Sequence, residues 1–308
     1  NDHLTGEGTG DLNGVPLMFT WEENFSSGDY YSTRVGVRGT LDEGGRERLR
    51  LVTPDWMSGP IAVSATFLGN EFDFESAEVR ADLTAAQADI DLINFVKEPG
   101  ERVSGVGKID FLDGGAVTIS DMHIEGLGTE ILGEFALDDA GRLISASFPI
   151  VRFGENSDFG LELDAPNEQI PSWRLYGHAM DATRIFFDDD PVEGDGAVED
   201  GDEVETVDAA NVVEQDIAPI SLDLELETVA VREGVALRDV AFRYVIEENE
   251  RLTDFHLDAM GPGDGTIVGR FGEEDTIRTL TISSDQAGDF VEAFTGFPSL
   301  RDGEILVE

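Results

Sequence analysis

Alternation of apolar and polar positions dominates the second half of the chain. In PISLDLELETVAV (Pro219 to Val231), Ile220, Leu222, Leu224 and Leu226 fall on one side, and Ser221, Asp223, Glu225 and Glu227 on the other. A strand sends successive side chains to opposite faces, so a period of two means one apolar and one polar face. The pattern returns with Val240, Phe242, Tyr244 and Ile246, then with Phe255, Leu257 and Ala259, then with Ile267, Gly269 and Phe271, and again with Leu280 and Ile282. The intervening REG, EENER, GPGDG and GEED are turn chemistry. An antiparallel meander with one wet face is predicted.

The first half carries the same material with more interruptions. TRVGVRGTL, GPIAVSATF, NEFDFESAEVRADL, VSGVGKIDFLDGGAVTISDMHIEG, TEILGEFALDDAGRLISASFPI and DFGLELDAP read as strands or hairpins. GGAVTISDMHIEG (Gly114 to Gly126) and EGVALRDVAFRYV (Glu233 to Val245) look alike, each a Gly-led turn and then apolar runs broken near an Asp. DAGRLISASF and ENERLTDFHL match in the same way, so an imperfect hairpin-built repeat of about 70–100 residues is expected. Helical signals are few. One is a short turn around Asp42 to Leu49. The other is a closing helix, 285–295, with Asp285 placed to cap it and Ala287, Phe290, Val291 and Phe294 at i, i+3, i+4 and i+7. Thr295-Gly296 and Pro298 stop it, and a strand resumes after the turn Arg301-Asp302-Gly303.

Charge then divides the chain. It carries 66 acids against 20 bases, a formal net charge of −46. From Asp188 to Asp216 there are 13 acids and no Lys or Arg, which reads as a linker or disordered loop. Three parts are expected: a β-rich region 1–187, the acidic linker 188–216, and a β module 217–308. A surface of this charge repels nucleic acid and anionic lipid headgroups. It fits a salt-adapted source keeping its proteins soluble, or a dedicated cationic partner. No run approaches the apolar length of a membrane span, and neither a span nor a signal peptide is expected within this piece. The chain starts at Asn1 without Met and is read as a piece of a longer protein.

Candidate chemistry is thin. With no cysteine there is no disulfide, thiolate metal site or Cys nucleophile. His3, His123, His178 and His256 are scattered without metal-ligand spacing, and His123 and His256 lie within strand alternations. Asp188 to Asp190 lack the spacing of a calcium loop. GEGTG and GPGDG lack the strand–Gly–helix context of a phosphate loop and read as turns. No catalytic residue, metal or cofactor is assigned, and a non-enzyme is expected.

SSDQAGDFVEAFTGFPSLRDGEILV, Ser283 to Val307, resembles the closing motif of the AsmA-like superfamily, specifically its YhdP-type members, a bridge-like lipid-transport family related to TamB. The likeness runs without a gap from Ser284 to Ile305, departing at Gln286, where the family tends to be acidic, and at Asp302, where Gly is usual. NGVPLMFTWEENF (Asn13 to Phe25), VRGTLDE and SGPIAV resemble the family's opening segment. DLTAAQADIDL and GVGKIDFLDGGAVTISDMHIEGLGTEILGEFALDDAGRL resemble its repeats. The resemblance implies a periplasmic protein held at the inner membrane by a segment absent from this chain, and a role in phospholipid movement between inner and outer membranes and in envelope homeostasis.

The fold so implied is an elongated, folded-over, taco-like antiparallel sheet whose concave apolar face is a groove. Phospholipid acyl chains, and other envelope proteins, are the expected partners. The groove would be lined by Ile220, Leu222, Leu224, Leu226, Val240, Phe242, Tyr244, Ile246, Phe255, Leu257, Ile267, Phe271, Leu280 and Ile282 and closed by the helix bearing Ala287, Phe290, Val291 and Phe294. Composition alone favours a closed sandwich core, and energetics do not separate the two, because burying a Leu stabilises by about 1.5–3 kcal/mol whether its neighbour is a side chain or an acyl chain. A structural scaffold with a closed core is therefore the alternative. An adhesive or polysaccharide-active β protein is a third reading, though Trp21, Trp56 and Trp173 are far apart in sequence.

Overall fold

The computed structural model describes residues 3–25, 31–51, 54–90, 93–165, 170–186, 219–247, 251–274, 277–288, 290–291 and 303–307. Its strands are β1 (His3–Leu12), β2 (Val15–Asn24), β3 (Thr33–Leu41), β4 (Met57–Ser58), β5 (Ile61–Asn70), β6 (Asp73–Asp82), β7 (Gln87–Ile90), β8 (Phe95–Lys97), β9 (Ser104–Phe111), β10 (Val117–Gly126) and β11 (Thr129–Leu137). They continue with β12 (Leu143–Phe153), β13 (Ser157–Asp164), β14 (Ser172–Asp181), β15 (Ile220–Arg232), β16 (Val235–Glu247), β17 (Arg251–Met260), β18 (Thr266–Glu274), β19 (Ile277–Ser284) and β20 (Ile305–Val307). Two short helices, α1 (Glu43–Arg48) and α2 (Thr183–Phe186), complete the set.

Seventeen of these strands form one sheet, and β4, β7 and β8 form a small second one. In the large sheet each strand pairs with its neighbours in sequence, from β1–β2 through β6–β9 to β19–β20. The sheet is open: among the described residues β1 pairs only with β2, and β20 only with β19. The meander read from the alternation is therefore present, with one exception. β14 and β15 pair in parallel, Leu175 opposite Leu224. A parallel pair needs a connection that returns the length of a strand, and residues 182–219 supply it. The expected linker 188–216 lies outside the described residues.

Several expectations change in detail. GEGTG is not a turn but the middle of β1, a wholly exposed edge strand whose Gly6, Gly8 and Gly10 face Trp21, Phe19 and Leu17 of β2. GPGDG is a turn, closed by Gly261 and Gly265. Asp42 caps α1 through a 2.7 Å bond from the Gly45 N–H. Both Asp-broken stretches are β-bulges, with Asp121 and Asp239 at φ of about 50°, a conformation that Asp tolerates better than bulkier residues. β10 and β16 nevertheless run in opposite directions across the sheet, so the likeness is local rather than a translational repeat.

At the C-terminus residues 287–288 and 290–291 are helical, and the remainder of the expected closing helix, with Phe294, lies outside the described residues. Asp285 does not serve there as a cap; its carboxylate accepts the Thr266 N–H at 2.6 Å. Ser284 Oγ takes the Gln286 N–H instead. Among the described residues no helix is long and apolar enough to cross a membrane.

Candidate functional site

The apolar face of the sheet carries a continuous row. Trp21, Val35, Phe67, Ala77, Ile109 and Ile119 are direct cross-strand partners in turn, from β2 to β10. Phe135, Ala146, Leu163, Trp173, Leu222, Tyr244 and Phe255 continue it without a break from β11 to β17. Directly opposed residues point to the same face, so thirteen neighbouring strands place an apolar side chain in register. At about 4.8 Å per strand the twelve steps span roughly 58 Å, about twice the ~30 Å hydrocarbon core of a bilayer. The row passes through the parallel β14–β15 junction, Trp173 opposite Leu222.

Burial across this face is graded. At one margin, where β2 begins and β3 ends, Leu49 after α1 packs on Val15, Leu17 and Leu41. Further along the same margin the small sheet lays Ile93 and Phe95 against the cluster of Val151, Phe153, Val231 and Val235, with the Phe95 and Phe153 rings 4.4 Å apart. Phe290 packs on that cluster as well. The small sheet is held there by polar bonds. Arg184 pairs with Asp89 at 2.6 Å. Lys97 donates to the Ala86 carbonyl at 2.6 Å from a buried position. Asn94 donates to Asp181 and Thr183. Burial pushes the Asp181 carboxyl up, but bonds from Thr183, Asn94 and Asn156 outweigh it and hold it below the usual aspartate value.

The row from Trp21 to Phe255 lies toward the other margin. Ala77, Ala146 and Leu163 in it are buried, and the rest are half-buried. Trp21 Nε1 is buried with no hydrogen-bond partner among the described residues. Nearby, Phe72 stacks on Trp21 at 6.2 Å and is 61% exposed. One margin of the apolar face is therefore sealed and the other stays open.

The residues expected to line a groove divide along this gradient except for Ile246, which lies beyond Tyr244 toward the open margin and is buried. Leu224, Leu226, Val240, Ile246, Leu257, Ile267 and Ala287 are buried. Ile220, Leu222, Phe242, Tyr244, Phe255, Phe271, Ile282, Phe290 and Val291 are half-buried, and Leu280 is 38% exposed. The first-half members of the row, Val35, Ile109, Ile119 and Phe135 among them, did not stand out from the sequence. Strand register, which no local pattern encodes, is what aligns them.

No protein-family model, curated protein or solved structure matches this chain. The chemistry of the site rests on the residues themselves. The polar face opposite is a charged ladder, Glu162, Arg174, Asp223, Arg243, His256 and Arg270 in successive partnership, alternating in sign from Glu162 to Arg243. Arg243 pairs with Asp223 at 3.6 Å and Asp254 at 2.9 Å, and Arg270 with Asp258 at 2.7 Å. Burial pushes the Asp258 carboxyl up, but Arg270 and His256 together hold it below its usual value. Exposed pairs of this kind contribute about 0–1 kcal/mol each; their main effect is to keep that face in water.

Proposed function

We propose that this chain is a non-enzymatic lipid carrier of the AsmA-like, YhdP-type kind, acting in the periplasm between inner and outer membranes as a folded-over β-groove. Acyl chains would lie along the row from Trp21 to Phe255, with headgroups toward the open margin. The observation that carries the reading is the row's continuity over thirteen strands combined with its half-burial. A closed core has no need of one unbroken register across a whole sheet, whereas a track for a long apolar ligand does. The alternative, a scaffold with a closed core, draws support from the sealed margin with fully buried Val231 and Ile267.

Native mass spectrometry of detergent-free protein, with analysis of extracted lipid, separates the two. Co-purifying phospholipid, lost in a folded Ile119→Asp/Leu222→Asp double variant, is expected. A clean apo mass with no uptake of added phospholipid would leave the scaffold.

A further inference from the structure

The polar face of β1, β2, β3, β5 and β6 is hollowed into a cleft of about 870 Å³ whose lining includes Thr9, Met18, Arg38, Ser64 and Arg80. A second hollow sharing those residues extends it along the strands to Arg34, Thr66 and Glu78. Arg38, Ser64 and Arg80 are successive partners in one cross-strand row. The two arginines therefore rise on either side of the Ser64 hydroxyl, about 10 Å apart at the backbone, and both forks can reach a group seated above it. Gly36 leaves the neighbouring floor bare; a Cβ there would stand 2.3 Å from Thr20 Oγ1.

The charge state of this cleft is unlike the rest of the sheet. Arg152, Arg174, Arg243, Arg251 and Arg270 each hold a carboxylate. The side chains of Arg34, Arg38 and Arg80 make no ion pair or hydrogen bond among the described residues, although Glu7, Asp11, Glu78 and Asp82 line the same hollows. Asp82 is engaged by the Thr84 N–H at 2.9 Å. The cleft thus offers separate, unspent positive and negative groups. A net anion would also have to climb the field of a chain at −46. A ligand whose ammonium offsets part of its phosphate charge climbs less of that field.

We propose that the cleft binds a phosphate ester that also carries an ammonium group. The phosphate sits on the Arg38 and Arg80 forks, which match its oxygens bidentately, and the ammonium lies against Glu78. This site is on the face opposite the apolar row and does not depend on the lipid-carrier reading. Its ligand chemistry is shared by soluble phosphoethanolamine and by a lipid headgroup.

Isothermal titration of the whole chain with phosphoethanolamine, inorganic phosphate and ethanolamine tests it, together with co-sedimentation on phosphatidylcholine vesicles with and without phosphatidylethanolamine. Phosphoethanolamine is expected to bind at least tenfold tighter than either fragment. Arg38→Gln/Arg80→Gln should abolish binding with an unchanged circular-dichroism spectrum, and Glu78→Gln should erase the advantage over phosphate alone. Binding confined to the soluble compound, or to vesicles containing the ethanolamine lipid, assigns the source. Phosphate binding as tightly as phosphoethanolamine, affinity unchanged in the arginine double variant, or no binding in either format would overturn the proposal.

Discussion

Leu222 and Leu226 lie four residues apart on β15, on the same face, and the graded burial predicts opposite fates for them. Leu226 is 3% exposed within the sealed cluster. Truncating a buried leucine costs about 2–5 kcal/mol, and a carboxylate in its place adds the further penalty of a buried, unpaired charge. Leu226→Asp should therefore consume most of the roughly 5–15 kcal/mol that stabilises an ordinary domain. Leu222 is half-buried on the open row. A carboxylate there stays hydrated, and the loss is limited to part of the ~1.5–3 kcal/mol that full leucine burial contributes, or about 1–2 kcal/mol. Urea unfolding followed by circular dichroism reads both. Leu226→Asp should be unfolded or molten in buffer, while Leu222→Asp should keep a cooperative transition at a lower midpoint. Leu224, 9% exposed in the same cluster, is a poorer discriminator, since a charge there perturbs core and track together. Equal damage from Leu222→Asp and Leu226→Asp would refute the distinction between open and sealed margins.

Asp181→Asn should lower the melting temperature at neutral pH, because hydrogen bonds hold the native carboxyl below its usual value. That stabilisation is complete above the unfolded aspartate value of about 3.9 and is lost as pH falls through the lower folded value, so wild type and variant should converge in acid; a gap constant down to pH 2 would contradict it. Gly133→Ala would place a Cβ 2.4 Å from Ser147 O and from Phe148 Cδ1; backbone cannot yield as a side-chain tip does, so a clearly lowered urea midpoint is expected, and an unchanged one would show the strands free to part.

Legibility in the sequence followed range. The β15–β19 strands were readable because the alternation of Leu222, Leu224 and Leu226, or of Phe255 and Leu257, needs no partner to be seen. The short turn around Asp42 to Leu49 was readable for the same reason, and the structure adds its cap, the Gly45 N–H on Asp42. β1 was misread because Gly6, Gly8 and Gly10 carry turn chemistry locally and become a strand only by lying along β2. Asp285 was read as a cap because its long-range partner, the Thr266 N–H, is invisible to a local rule. The sealed margin was hidden for a similar reason. Ile93 and Phe95 sit in a stretch of weak pattern, and their role depends on Phe153, far along the chain.

The nearest-neighbour pairing of the large sheet has a consequence for how such a molecule changes size. Each hairpin touches chiefly the hairpins beside it, so stability and folding behave as sums of local steps. Away from the small sheet, which packs Phe95 on distant Phe153, deleting or duplicating one hairpin shifts the length of the apolar row by about 10 Å. Strand direction is conserved only when strands are gained or lost in twos, and among the described residues the β14–β15 junction is the one place where that parity is broken. β15 runs there toward the same margin as β14. Reach across a gap is thus a quantity this architecture can adjust in hairpin-sized increments.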